Sequence, residues 1–163
     1  MKYLIVFTIF LLSFICLIVK YILSNKYETR AVEHVSEIPF IGVRNESENF
    51  SHTIVIVFSS TCEYCQNDAE QIRKHIDVFL KVKIFMVSPE NTASIIKFSS
   101  DYKLNSFSNI RFLRMSKEEI YKTFSVITVP YILVYNQNGD LNKEIKGDIK
   151  IEKLIEVIAN EKK

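Results

Sequence analysis

Thr53-Ile54-Val55-Ile56-Val57-Phe58-Ser59-Ser60-Thr61-Cys62-Glu63-Tyr64-Cys65 runs from a continuously apolar, β-branched stretch into a C-x-x-C pair. Its first six residues read as a strand buried on both faces. Beyond the cysteines, Ala69, Ile72, Ile76, Phe79 and Leu80 recur at helical spacing while Arg73, Lys74 and Asp77 take the other side. The pair therefore sits where a strand gives way to a helix. At a helix start the two sulfurs share one face, close enough to bond, and the first thiol lies over unpaired backbone N–H groups and the positive end of the helix dipole. Those groups favour thiolate over thiol, and a thiolate attacks disulfides. Glu63 is read chiefly as a solvated first-turn acid that helps the helix, although its charge opposes a neighbouring thiolate.

The order continues in both directions from this junction. Lys83 to Val87 reads as a second buried strand, and Asn91 to Tyr102 as a helix with Ile95, Ile96 and Phe98 inward. Asn109 to Leu113 is a further short strand. Ser116 and Glu119 have capping-box spacing, opening a helix over Lys117 to Phe124. Tyr131 to Tyr135 and Asp140 to Lys146 are strands joined by the turn Asn136-Gln137-Asn138-Gly139. The last helix, Ile149 to Asn160, places Ile151, Leu154, Ile155 and Ile158 on one face. A β-α-β-α order followed by a hairpin and a helix predicts an α/β fold with a mixed central sheet flanked by helices.

At the other end, Tyr3 to Val19 is an unbroken apolar stretch, followed after Lys20 by Tyr21, Ile22 and Leu23. With Lys20 snorkelling, residues 3–23 reach about 30 Å as a helix, enough to span a bilayer. The other reading, a cleaved signal peptide, meets a stretch long for its apolar region and no A-x-A-like site after it. We read residues 1–24 as a transmembrane anchor, 25–50 as a tether and N-terminal extension, and 51–163 as one domain. The basic residues Lys20, Lys26 and Arg30 after the span would hold that domain in the cytoplasm, but long domains translocate largely regardless of charge. The extracytoplasmic, periplasmic side is the expected location. All nineteen acidic side chains lie beyond Leu23, as do nineteen of the twenty-one basic ones, so nothing argues for nucleic acid. Cys62 and Cys65 are the domain's only cysteines, so no distant disulfide staples its core.

A C-x-x-C at a strand-to-helix junction, then strand, helix, a Thr128-Val129-Pro130 step into an antiparallel hairpin and a closing amphipathic helix resemble the thioredoxin fold. With the N-terminal anchor, the chain looks most like the TlpA-like thiol–disulfide oxidoreductases of the outer face of bacterial membranes. The resemblance covers roughly 38–159. It implies that Cys62 attacks, that Cys65 resolves the mixed disulfide, and that a cis-Pro130 with Val129 forms the substrate-facing loop, with Thr61, Glu63 and Tyr64 on the rim. A cis bond there would free the Val129 backbone to pair with an extended substrate. Tyr131, just after that loop, is read as a core tyrosine whose hydroxyl reaches the surface. The implied partners are protein thiols and disulfides and a redox partner that the sequence does not name.

The chain also departs from the pattern. Thioredoxins proper carry a tryptophan just before the first cysteine and a buried aspartate six residues before it; Thr61 and Ile56 stand there, which removes the usual internal proton acceptor. No cofactor is expected, nor a metal site, since a closed zinc site needs four ligands and only His34, His52 and His75 could join the cysteines. A peroxiredoxin-like peroxidase would want a threonine where Ser59 stands, and a proline upstream. A non-catalytic, membrane-tethered binding module is the reading from another class.

Overall fold

The computed structural model describes Phe7 and residues 11–20, 50–148 and 150–160. The chain divides into two compact units, 1–30 and 31–163. In the first, residues 11–20 are helical (α1) with exposed side chains. No helix among the described residues is long and apolar enough to cross a membrane. The segment expected over 3–23 lies partly outside the described residues, and the tether over 25–50 almost wholly so.

In the second unit the order is β1 (His52–Val57), α2 (Glu63–Lys74), α3 (Ile76–Phe79), β2 (Val82–Ser88), α4 (Thr92–Asp101), a 3-10 turn (Leu104–Ser106), β3 (Ile110–Arg114), α5 (Lys117–Phe124), β4 (Tyr131–Tyr135), β5 (Leu141–Lys146) and α6 (Ile151–Ala159). The sheet runs β3-β2-β1-β4-β5, with β1 in the middle. β1 pairs parallel to β2 and antiparallel to β4, which explains why both β1 and β2 are apolar on both faces.

Alternate residues of the central strands feed two cores. Ile54, Ile56, Phe58, Ile84, Met86, Ile132 and Val134 pack with α2, α4 and α6, through Cys65, Ala69, Ile72, Ile95, Phe98, Ile151, Leu154 and Ile158. Val55, Val57, Phe85, Val87, Tyr131, Leu133 and Tyr135 pack with Ile120 and Phe124 of α5 on the other face. Three layers result. Full burial of such a side chain contributes roughly 1.5–3 kcal/mol, so these two cores outweigh any local propensity in holding the domain.

Local chemistry sets the ends of the elements. Ser116 caps α5 through Glu119 N–H at 3.2 Å while the Glu119 carboxylate accepts Ser116 N–H at 2.7 Å, the capping box read from the spacing. Gly139, at φ 89°, closes the β4–β5 turn by donating to Asn136 O at 2.9 Å, in a backbone region that a side chain disfavours. Two expectations change. The helix after the cysteines is interrupted at His75, and the phase shift into α3 turns Leu80 outward while Phe79 is buried. On α4, Ile95, Phe98 and Ser99 face the core and Ile96 is exposed, because one helical step carries it about 100° off the buried stripe.

Candidate active site

Cys62 is the N-cap of α2, with extended backbone angles, and its sulfur accepts the Cys65 N–H at 3.3 Å. A sulfur so placed satisfies one of the donors that a helix start leaves unpaired. Cys62 is half-buried, whereas Cys65, one turn further in, is 1% exposed and packs with Ala69 and Ile72. Both are free thiols. Burial, the hydrogen bond with Cys62, and the charges of Cys62 and Asp68 push the Cys65 thiol well above its ordinary range, against a Ser59 backbone contact that pulls it down. The first sulfur is therefore the more accessible one, and the second is a buried thiol that resists ionisation.

The loop before the pair is held by a residue the sequence analysis passed over. Glu90 Oε1 accepts the Ser59 hydroxyl at 2.7 Å and the Ser60 N–H at 3.0 Å. Partial burial works against its ionisation, but these hydrogen bonds win and keep the Glu90 carboxyl below its ordinary range. Gln66, on α2, donates to Ser60 O at 2.8 Å, and Cys62 N–H reaches back to Ser59 O at 3.2 Å. Thr61 rests its hydroxyl against that of Ser59 at 3.1 Å. The turn that delivers Cys62 is thus fastened to the end of β2 and to the helix it opens.

The sheet register brings the remaining residues in. β4 runs antiparallel to β1 with Val57 opposite Tyr131, so the residues just before Tyr131 lie beside the loop just after β1. The Val129–Pro130 peptide bond is cis, Pro130 is buried, and Val129 O is 3.9 Å from Cys62 Sγ. Thr61, Glu63 and Tyr64 are exposed around the pair, Tyr64 by 60%. A cleft of about 550 Å³ next to the loop is lined by Ser59, Pro89, Glu90, Tyr121, Ile127 and Val129 among others. Tyr131 itself is buried on the α5 side of the sheet, its hydroxyl donating to Glu144 at 2.9 Å. It is a core residue with a surface handle.

Residues 44–162 match the model of the thioredoxin-like domain. The chain belongs to that family. Its structural neighbours include a secreted Mycobacterium tuberculosis disulfide oxidoreductase homologous to E. coli DsbE, at TM-score 0.60 and 16% identity, covering 83% of this chain and 98% of that one. StoA from Bacillus subtilis superposes at TM-score 0.53 and 24% identity over 69% of this chain and 84% of its own. A 2-Cys peroxiredoxin from Plasmodium vivax shares the fold at TM-score 0.55 and 12% identity over 68% and 76%. No curated protein matches the chain. The thioredoxin-like domain therefore has its first cysteine on the α2 N-cap, its second beneath, and the Val129 carbonyl beside the first.

A second residue escaped the sequence reading. Asp68 is 4% exposed on the inner side of α2, and its Oδ2 has no hydrogen-bond partner among the described residues. Burial, reinforced by the nearby charge of Asp148, pushes its carboxyl up to about 7. Its position in phase with Cys65, Ala69 and Ile72 was the available signal.

Proposed function

We propose that the protein is a thiol–disulfide oxidoreductase, anchored in a membrane through residues 3–23, that exchanges disulfides with extracytoplasmic protein substrates through Cys62 and Cys65. The observation that carries this reading is the asymmetry of the pair, a half-exposed sulfur on a helix N-cap in front of a 1% exposed one. The Cys62 thiolate attacks one sulfur of a substrate disulfide, forming a mixed disulfide and releasing the other sulfur as a thiolate that takes up a proton. Cys65 then attacks Cys62 Sγ, closing the Cys62–Cys65 bond and releasing the second substrate thiol. The substrate gains two electrons and the pair loses them; the same steps run backwards when the pair is the oxidant. The Val129 carbonyl beside Cys62 and the adjoining cleft offer an extended chain a place to lie. The secreted Mycobacterium tuberculosis disulfide oxidoreductase among the structural neighbours favours the same chemistry.

The test is trapping. Cys65→Ser should accumulate mixed disulfides through Cys62, and Cys62→Ser should abolish exchange with insulin or glutathione disulfide. Trapping through Cys65 in the Cys62→Ser variant, with none in the reverse case, would overturn the roles. A wild-type protein inert towards both disulfides would favour a binding module.

A further inference from the structure

Burial, the hydrogen bond with Cys62 and the charges of Cys62 and Asp68 hold the proton on Cys65, and against them stands the Ser59 backbone. A carbonyl would disfavour a thiolate, so the group that meets Cys65 Sγ is the Ser59 N–H. The amides on either side are engaged elsewhere, Phe58 N–H with Val87 O at 2.9 Å and Ser60 N–H with Glu90 Oε1 at 3.0 Å. Donor and sulfur lie on different segments. Ser59 belongs to the loop after β1, whereas Cys65 is on α2 and buried. Glu90 ties that loop to the end of β2. Gln66 ties it to the helix, its Nε2 donating to Ser60 O at 2.8 Å while its backbone N–H bonds Cys62 O at 3.0 Å. Ser60 is thus pinned at both its N–H and its carbonyl, and Gln66 sets the separation of loop and helix where Ser59 meets Cys65.

We propose that the Ser59 N–H carries the charge of the Cys65 thiolate during the resolving step and that Gln66 is the residue that positions it, a reading that rests on the exchange chemistry above. Cys65 gives its proton to water, and its Sγ attacks Cys62 Sγ of the mixed disulfide. The Cys62–Cys65 bond forms, the Cys62–substrate bond breaks, and its electron pair leaves with the substrate sulfur, which takes up a proton. Run backwards, Cys65 is the leaving thiolate and the same N–H receives its charge. A donor already aimed at charge that exists only during the reaction costs no reorganisation at that moment, so it lowers the barrier in both directions. Cys65 is a protonated thiol in one end state and a disulfide sulfur in the other, so the donor leaves the equilibrium between them where it is.

The experiment uses the full chain carrying Cys16→Ser, so that the pair alone reacts with dithiobis(nitrobenzoate). That reagent releases two coloured thiolates in sequence, the first on attack by Cys62 and the second on attack by Cys65. Gln66→Met keeps the length of the side chain and loses its donor. The ratio of second to first release rate should fall about tenfold at neutral pH, the low end of what a hydrogen bond to a charged group contributes, and Gln66→Ala should behave alike. The equilibrium of the pair with glutathione should stay within about twofold of the parent, because forward and reverse steps slow together. An unchanged ratio would overturn the proposal while leaving the exchange chemistry standing. So would a fallen ratio with a shifted equilibrium, since Gln66 would then be setting the distance between the two sulfurs. A parent that never gives the second release would overturn both readings.

Discussion

Asp68 illustrates how a single side chain sets a pH dependence for the whole domain. Its folded-state carboxyl titrates at about 7, above the ordinary 3.8 of an unfolded aspartate, because burial and then Asp148 disfavour the charge. A raised value means that the native state binds the proton more tightly, so this contribution is fully present below about pH 4 and is lost as pH rises through about 7. Asp68→Asn removes the dependence. The variant should match the wild type near pH 4 and exceed it by about 1–3 kcal/mol at pH 8 in urea unfolding, since a buried uncompensated charge has gone. Equal stability at pH 8 would mean that water or another group already compensates Asp68. Glu90 is the opposite case. Its carboxylate is bound by the Ser59 hydroxyl and the Ser60 N–H, so its contribution lies on the alkaline side and fades on acidification. One acid keeps its proton in the interior up to about neutral pH, and the other holds the loop before Cys62 by staying charged.

Among the elements, α2 delivers the pair and α5 covers the far side of the sheet, and their chemistry separates cleanly. The α5 N-terminus depends on the reciprocal Ser116–Glu119 bonds, which are exposed and remote from the sulfurs in sequence. Ser116→Ala should cost about 1 kcal/mol of unfolding free energy, seen as a lower denaturation midpoint, without changing the rate at which Cys62 reacts. A change in that rate would mean that α5 positions the Val129 loop and does more than cover Val57, Tyr131 and Leu133. The interruption at His75 has a comparable logic: His75 N–H still bonds Gln71 O, ending α2, and α3 restarts in a phase that buries Phe79. A continuous helix through His75 would keep the stripe of Ala69 and Ile72 running on to Leu80. With the break, Phe79 stays in the core and Leu80 turns out.

For the whole molecule, the anchor proposed over residues 3–23 sets where the domain works. An uncleaved anchor with the domain outside predicts that the full-length protein pellets with membranes. A membrane-impermeant thiol reagent applied to intact cells after reduction should then label Cys62, the more exposed of the pair. Labelling only after lysis would place the domain in the cytoplasm, where a reducing pool keeps such a pair as dithiols and a reductase or sensing role would replace exchange outside the cell. Recovery of a shortened chain in the soluble fraction would convert the anchor into a cleaved leader.

What the sequence determined by itself was whatever depends on near neighbours. The buried strands at Ile54 and Ile84, the capping box at Ser116, the turn at Gly139 and the placing of Cys62 at a helix start all follow from spacings of two, three or four residues, which act within one element. Only the tertiary structure decided which polar groups the packing would enclose and which distant segments would touch. Val129 meets Cys62 because β4 pairs antiparallel with β1, and Glu90 reaches Ser59 because parallel pairing sets the end of β2 beside the end of β1. Asp68 shows the division within one residue. Its helical phase was legible, but the cost of its charge depends on the core that α2 shares with α6 and the sheet, and on Asp148 from the segment before α6. Local spacing determines the face on which a side chain stands; the elements packed against that face determine whether it meets water, a partner or neither.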